Sequence, residues 1–155
     1  MAINSIGTEM WFIDNSTLVK LGCPTNISGI GAERESKESP ACLETGLKQT
    51  FTGALKMKEI TVDINLDPAI SAQKKIWDAL IAGTQGIKFA IGLADGTDAP
   101  TNTGNAFTLA TTRSWYEITG AVKSETDNIG TAADTLTAQI VIVPTALLRL
   151  EKGRA

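Results

Sequence analysis

The chain has no histidine, and among its 155 residues there are only two cysteines. Without imidazole, the Ser-His-Asp and Cys-His nucleophile systems, histidine-based zinc sites and the usual proton shuttle at neutral pH are excluded. Cys23 and Cys42 bracket a polar segment, and in a reducing compartment they read as free thiols rather than a bridge. No apolar run approaches the roughly 18–20 residues of a membrane helix, so no membrane anchor is expected. The N-terminus, MAINSIGTEMWFID, lacks the basic stretch and apolar run of an export signal. Without export, the glycosylation patterns at Asn15-Ser16-Thr17 and Asn26-Ile27-Ser28 are empty. An excess of positive charge is missing too. The net charge of −3 and pI of about 5.0 disfavour a non-specific nucleic-acid binder.

What is present points to a globular β protein. Hydrophobic residues make up 43% and charged residues 20%, which excludes intrinsic disorder and allows one domain, 1–155, with a real core. Threonines number 20, and threonine suits a pleated, half-buried surface.

Alternation marks the strands. Along Glu59–Asp67, Ile60, Val62, Ile64 and Leu66 share one face, and Glu59, Thr61, Asp63, Asn65 and Asp67 the other. Gly86–Ala94, Ser114–Glu125 and Thr135–Val143 alternate similarly, and Pro144 is expected to end the last of these. Earlier, Thr8–Ile13 and Leu18–Leu21 flank an Asn15-Ser16 turn. Ser28–Ser36 reads as a weaker strand, with Ile30 inward and Glu33 and Glu35 outward.

One helix is expected, capped by Asp67, with Pro68 in its first turn and Gly83 at its end. Ile70, Gln73, Trp77, Leu80 and Ile81 fall near one stripe, with Ile76 beside it and Lys74, Lys75 and Asp78 opposite. That stripe, Trp77 included, must cover the dry face of a sheet. The expected fold is therefore mainly β, a sandwich or barrel with one packed helix. Trp11 and Trp115 belong to the core or an interface.

Two stretches read as loops: 33–56, and the turn-rich DGTDAPTNTGN of Asp95–Asn105. The first is long enough to suggest a function. Residues 145–155 read as a short C-terminal tail.

The catalytic motifs are absent or weak. Ile27-Ser28-Gly29-Ile30-Gly31 lacks the third glycine and following helix of a dinucleotide fingerprint. Asp95-Gly96-Thr97-Asp98 lacks the spacing of a calcium loop. Glu33, Glu35 and Glu38 sit among Arg34 and Lys37 without an apolar pocket to raise a pKa, so a solvated charge run is the better reading. Arg149, Lys152 and Arg154 form a basic patch too small for strong nucleic-acid binding. Neither an enzyme nor a cofactor or metal site is expected.

The order of elements resembles the major tail tube proteins of long, non-contractile (siphovirus) phage tails, including the N-terminal domain of the phage lambda tube protein. The shared features run over nearly the whole chain: Gly7-Thr8 before Trp11, the strand–Pro–helix junction at Leu66–Pro68, and an Ala/Gln/Lys helix with Trp77 near its end. An aromatic-led strand from Trp115 through Gly120 and Val122, a polar turn and a final alternating strand complete the series. The lambda protein's second, immunoglobulin-like domain has no counterpart here, so no decoration role is expected.

This resemblance implies a virion structural protein, made in the host cytoplasm, that forms hexameric rings stacked into a hollow tube. Inner sheets of neighbouring subunits would join into one barrel, and a long loop would contact the next ring. DNA would pass through the lumen at genome ejection without specific binding. The implied partners are further copies, the tape measure protein, and tail terminator and tail-tip proteins. On this reading Glu59, Thr61, Asp63 and Asn65 face the lumen, extended by Glu33, Glu35, Glu117, Thr119, Thr137 and Gln139. Arg34, Lys37, Glu38, Glu44, Lys48 and Lys56 are the inter-ring candidates. Arg149, Lys152 and Arg154 are candidates for a C-terminal contact. Competing readings are a tail terminator or connector, a type VI secretion-like tube subunit, and a β-sandwich ligand-binding module using Asp95–Asn105.

Overall fold

The computed structural model describes residues 6–22, 24–38, 50–67, 69–129 and 136–154. Cys23, Cys42 and Pro68 fall outside the described residues. The chain opens with a hairpin of β1 (Glu9–Asp14) and β2 (Thr17–Gly22), and its turn is the expected Asn15-Ser16. Both turn residues have positive φ, 47° and 64°, the backbone twist that a two-residue hairpin turn needs. Next come β3 (Asn26–Ser28), β4 (Ala32–Glu38), β5 (Thr50–Met57), β6 (Ile60–Asn65), helix α1 (Ser71–Ala82) and β7 (Ile87–Gly92). A small hairpin of β8 (Thr101–Thr103) and β9 (Ala106–Thr108) precedes the long strands β10 (Trp115–Asn128) and β11 (Thr137–Leu150).

Seven strands form one sheet in the order β2-β1-β7-β10-β11-β6-β3, with every neighbouring pair antiparallel. The fold is mainly β with one packed helix, as the sequence indicates. Met10, Phe12, Phe89, Ile118, Ile140, Ile142, Ile60 and Val62 are buried on one face, and Ala72 and Ile76 of α1 pack against them. This apolar burial is the main force holding helix to sheet, because a helix of twelve residues is marginal alone.

Helix α1 differs from its expected form in two ways. Asp67 does not cap it: the cap position is Ile70, without a side-chain cap bond. Asp67 instead accepts the Ala69 amide at 2.9 Å, shaping the turn ahead of the helix. The entry is pinned by Gln73, which accepts the Asp67 amide at 2.8 Å and donates to the Asn65 carbonyl at 2.9 Å. Trp77 is also not core, being 43% exposed, and Ile81 is 72% exposed. The covered stripe is Ala72, Gln73, Ile76, Ala79 and Leu80. Its alanines bring the helix axis close to the sheet, and Trp77 and Ile81 are rotated onto the flank. Gly83 ends the helix as expected, in the left-handed conformation at φ 68°.

Three strand expectations need correction. Pro144 does not end the last strand. In the register, Thr119 faces Ala146 and Gly120 faces Pro144, so Thr145 is a bulge and Pro144 sits where the ladder is already interrupted. β11 then runs on to Leu150 through most of the expected tail. The weak strand at Ser28–Ser36 is two strands, β3 and β4, divided by Gly29, whose φ is 85°. Much of the expected loop at 33–56 is the β4–β5 ribbon, which is separate from the main sheet.

Candidate functional site

The sheet face opposite α1 carries most of the sequence-derived lumen candidates. In the cross-strand rows, Thr61 faces Val141, Asp63 faces Gln139, and Asn65 faces Thr137. On the other side of β6, Asn26 faces Asp63 and Ser28 faces Thr61. Gln139 and Asn26 donate their amides to the Asp63 carboxylate at 3.3 and 3.5 Å. Further across the same face, Glu117 faces Ala90 and Thr119 faces Lys88. Directly paired residues share a face, so Thr61, Asp63, Asn65, Thr137, Gln139, Glu117 and Thr119 lie together. Lysines accompany these carboxylates: Lys88 lies 3.9 Å from Glu117, and Lys123 lies 2.6 Å from Glu59 just ahead of β6. Glu33 and Glu35 are on the β4–β5 ribbon instead, exposed and outside this sheet.

The wet face has a dry end that its alternation hides. Trp11, Ala90 and Trp115 are buried there, with Leu18, Phe107, Leu109 and Leu150 against them. Arg113 closes the cluster and is itself fully buried. Its guanidinium donates to the carbonyls of Leu93, Gly92, Gly7 and Asp98 and to the Glu9 carboxylate, at 2.7–3.3 Å. Burial by itself pushes Glu9 up, but hydrogen bonds and charge from Lys20 and Arg113 outweigh it and hold the carboxyl below its ordinary range. Arg113 gave no sequence signal, since it lies in a polar, turn-like stretch.

The C-terminal candidates are occupied within their own chain. The Lys152 ammonium donates to the Asp95 carbonyl at 2.8 Å. Arg154 donates to the carbonyls of Leu109, Ala110, Arg113 and Glu151. Arg149 is exposed beside Glu151.

On the ribbon, Arg34 faces Leu55 and Glu33 faces Lys56 across the pair. Glu44, Lys48 and the side chains of Lys37 and Glu38 lie outside the described residues.

One acidic site carries no signal in the sequence. A groove of about 310 Å³ beside α1 is lined by Ile70, Trp77, Lys74, Asp67, Glu125 and Asp127. Burial, and then the Asp127 charge, raise the Glu125 carboxyl to about 7. Its Oε2 is buried without a hydrogen-bond partner. Among the described residues no cluster of His, Cys, Asp and Glu could hold a metal ion. No described helix is long and apolar enough to cross a membrane.

A family model described as phage tail tube, TTP, lambda-like, matches residues 1–146. No curated protein sequence matches the chain. Among solved structures, the chain is similar to one from the anti-feeding prophage baseplate, with TM-score 0.71, 10% identity and coverage of 99% of this chain and 100% of that one. It is also similar to a chain of the PVC extracellular contractile injection system sheath-tube complex, with TM-score 0.66, 14% identity and coverage of 97% and 92%. The SPP1 tail tube matches with TM-score 0.59, 16% identity and coverage of 97% and 80%. At these identities the likenesses are of fold.

Proposed function

The chain belongs to the lambda-like phage tail tube family, and we propose that its copies close into hexameric rings that stack into the conduit carrying DNA from capsid to host cell. The subunit is a structural component of the virion. The observation that carries the ring reading is the main sheet itself, which has two open edges, β2 and β3, on opposite sides. An open edge is a template for pairing with another chain, which monomeric proteins normally blunt. Joining β2 of one copy to β3 of the next repeats by rotation and closes a ring.

The face bearing Asp63, Gln139, Thr61, Glu117 and Thr119 then lines the lumen. DNA is a dense line of negative charge, and a lysine-rich bore would hold it by counterion release. Here Lys88 and Lys123 are matched by Glu117 and Glu59, and Asp63 is bonded to neutral amides. Among the described residues this face offers DNA no unmatched lysine row, so DNA slides. A conduit of this kind needs no catalysis and no cofactor. The tape measure protein sets the tube's length, and tail terminator and tail-tip proteins are the further partners. The whole chain, 1–155, acts as one tail-tube domain made in the host cytoplasm, with the β4–β5 ribbon as its inter-ring element.

Negative-stain microscopy of the purified protein, alongside size-exclusion chromatography, tests the reading. Uniform tubes of stacked rings are expected. Assembly that stops at one ring would make the chain a terminator, and a strict monomer at high concentration would contradict the tube.

A further inference from the structure

The groove beside α1 combines an exposed apolar floor with a carboxyl pair. Trp77 is 43% exposed and Ile70 38%, an uncommon use of a large apolar surface for a residue with no internal task. The charged groups that line the groove together with Glu125 are Asp127 on its own strand, Lys74 from α1 and Asp67 from the helix approach. From β11, the cross-strand partners Ile140 and Ala138 bring no charge. Lys74 is already engaged by Asp78 at 2.9 Å. The groove is therefore acidic and lacks a committed cation.

The complementary surface is on the β4–β5 ribbon. Leu55 is 51% exposed, and Arg34 stands directly opposite it across the pair. Arg34 spends one donor on the Gly53 carbonyl at 3.2 Å, and a guanidinium has five. One patch thus presents an apolar side chain and a cation side by side.

Position decides who meets whom. The ribbon leads into the start of β6, and the groove begins just past its end, at Asp67. The six residues of β6 separate the two by about 20 Å of strand. Such a head-to-tail arrangement suits a contact between copies, and contacts of this kind propagate into rings or filaments.

We propose that the groove receives the Arg34–Leu55 face of the ribbon from a second copy of the chain, with Leu55 on Trp77 and Ile70 and the Arg34 guanidinium at Glu125 and Asp127. This rests on the tube reading and adds to it a named receptor for the ribbon.

Paired cysteines test it in assembled tubes. With Cys23→Ser and Cys42→Ser as background, Leu55→Cys and Trp77→Cys together give, on oxidation, a ladder of covalent multimers, and either cysteine alone gives none. Tubes that form without a ladder overturn the groove and leave the tube reading intact. An unmodified chain that never forms tubes overturns both. If the double-cysteine chain does not assemble, charge reversal decides. Arg34→Glu and Asp127→Arg each lower tube yield at least about tenfold, the loss that one close charge pair carries, and their combination restores it. Unchanged yield in Arg34→Glu, or no restoration in the pair, overturns the proposal.

Discussion

The Arg113 guanidinium carbon stands 5.2 Å from the centroid of the Trp115 ring, and the same group lies 5.5 Å from Trp11. One buried cation thus links two aromatic rings, the Glu9 carboxylate and four backbone carbonyls. Replacing Arg113 by Met strands those acceptors, so a loss of about 3–5 kcal/mol is expected. Arg113→Lys keeps the charge but not the planar fork, and falls between the two. Denaturant unfolding of free subunits measures both.

Gly92 makes room for that guanidinium. A Cβ there would lie 2.6 Å from Arg113 Cζ and 2.9 Å from the Trp115 ring. Gly92→Ala is expected to cost about 1–3 kcal/mol through overpacking. In the Arg113→Met background the cost shrinks, since a flexible side chain replaces the fork. A double-mutant cycle reads the coupling.

Gln73 is a polar residue on an apolar stripe because both ends of its amide are used. Gln73→Leu leaves the Asp67 amide and the Asn65 carbonyl unpaired, at about 1–3 kcal/mol. Hydrogen exchange at Asp67 should quicken more than at the centre of β10, since the entry to α1 is loosened first.

Stability should fall on both sides of a mid-pH optimum. Glu125 is raised to about 7 by burial and Asp127. The folded state holds its proton more tightly than the unfolded one, so this contribution is complete below the ordinary carboxylate range and is lost as pH rises through about 7. Glu9 and Asp95 go the other way. Burial pushes Asp95 up, but the Ser114 hydroxyl and amide outweigh it and lower its pKa. Their contributions hold above the ordinary range and vanish as pH falls through the lowered values. Glu125→Gln should therefore gain stability over the parent above pH 7 and lose the advantage in acid. Unfolding curves across pH check this.

The β6 alternation was legible because the strand has a purely apolar and a purely polar face, and the structure keeps both. Trp77 was not, because two adjacent stripes on α1 are both apolar. Which one packs is decided by the alanines at 72 and 79, which permit close approach. Glu125 was hidden by a bulge. Val122 faces Ile142 and Ser124 faces Val141, so Lys123 is the extra residue. That slip reverses the alternation beyond it and turns Glu125 and Asp127 toward the helix side. Charge alone links Glu33 and Glu35 to the polar face in the sequence, and the pairing of β4 with β5 sets them on a separate ribbon. The Arg113 cluster depends on segments far apart in sequence, for which local pattern carries no signal.

The most direct test of the account is a cryo-EM reconstruction of the assembled tube. In the tube proposed above, Asp63 and Glu117 face the bore, with β2 of each copy paired to β3 of its neighbour. A reconstruction with those carboxylates on the tube exterior would contradict it.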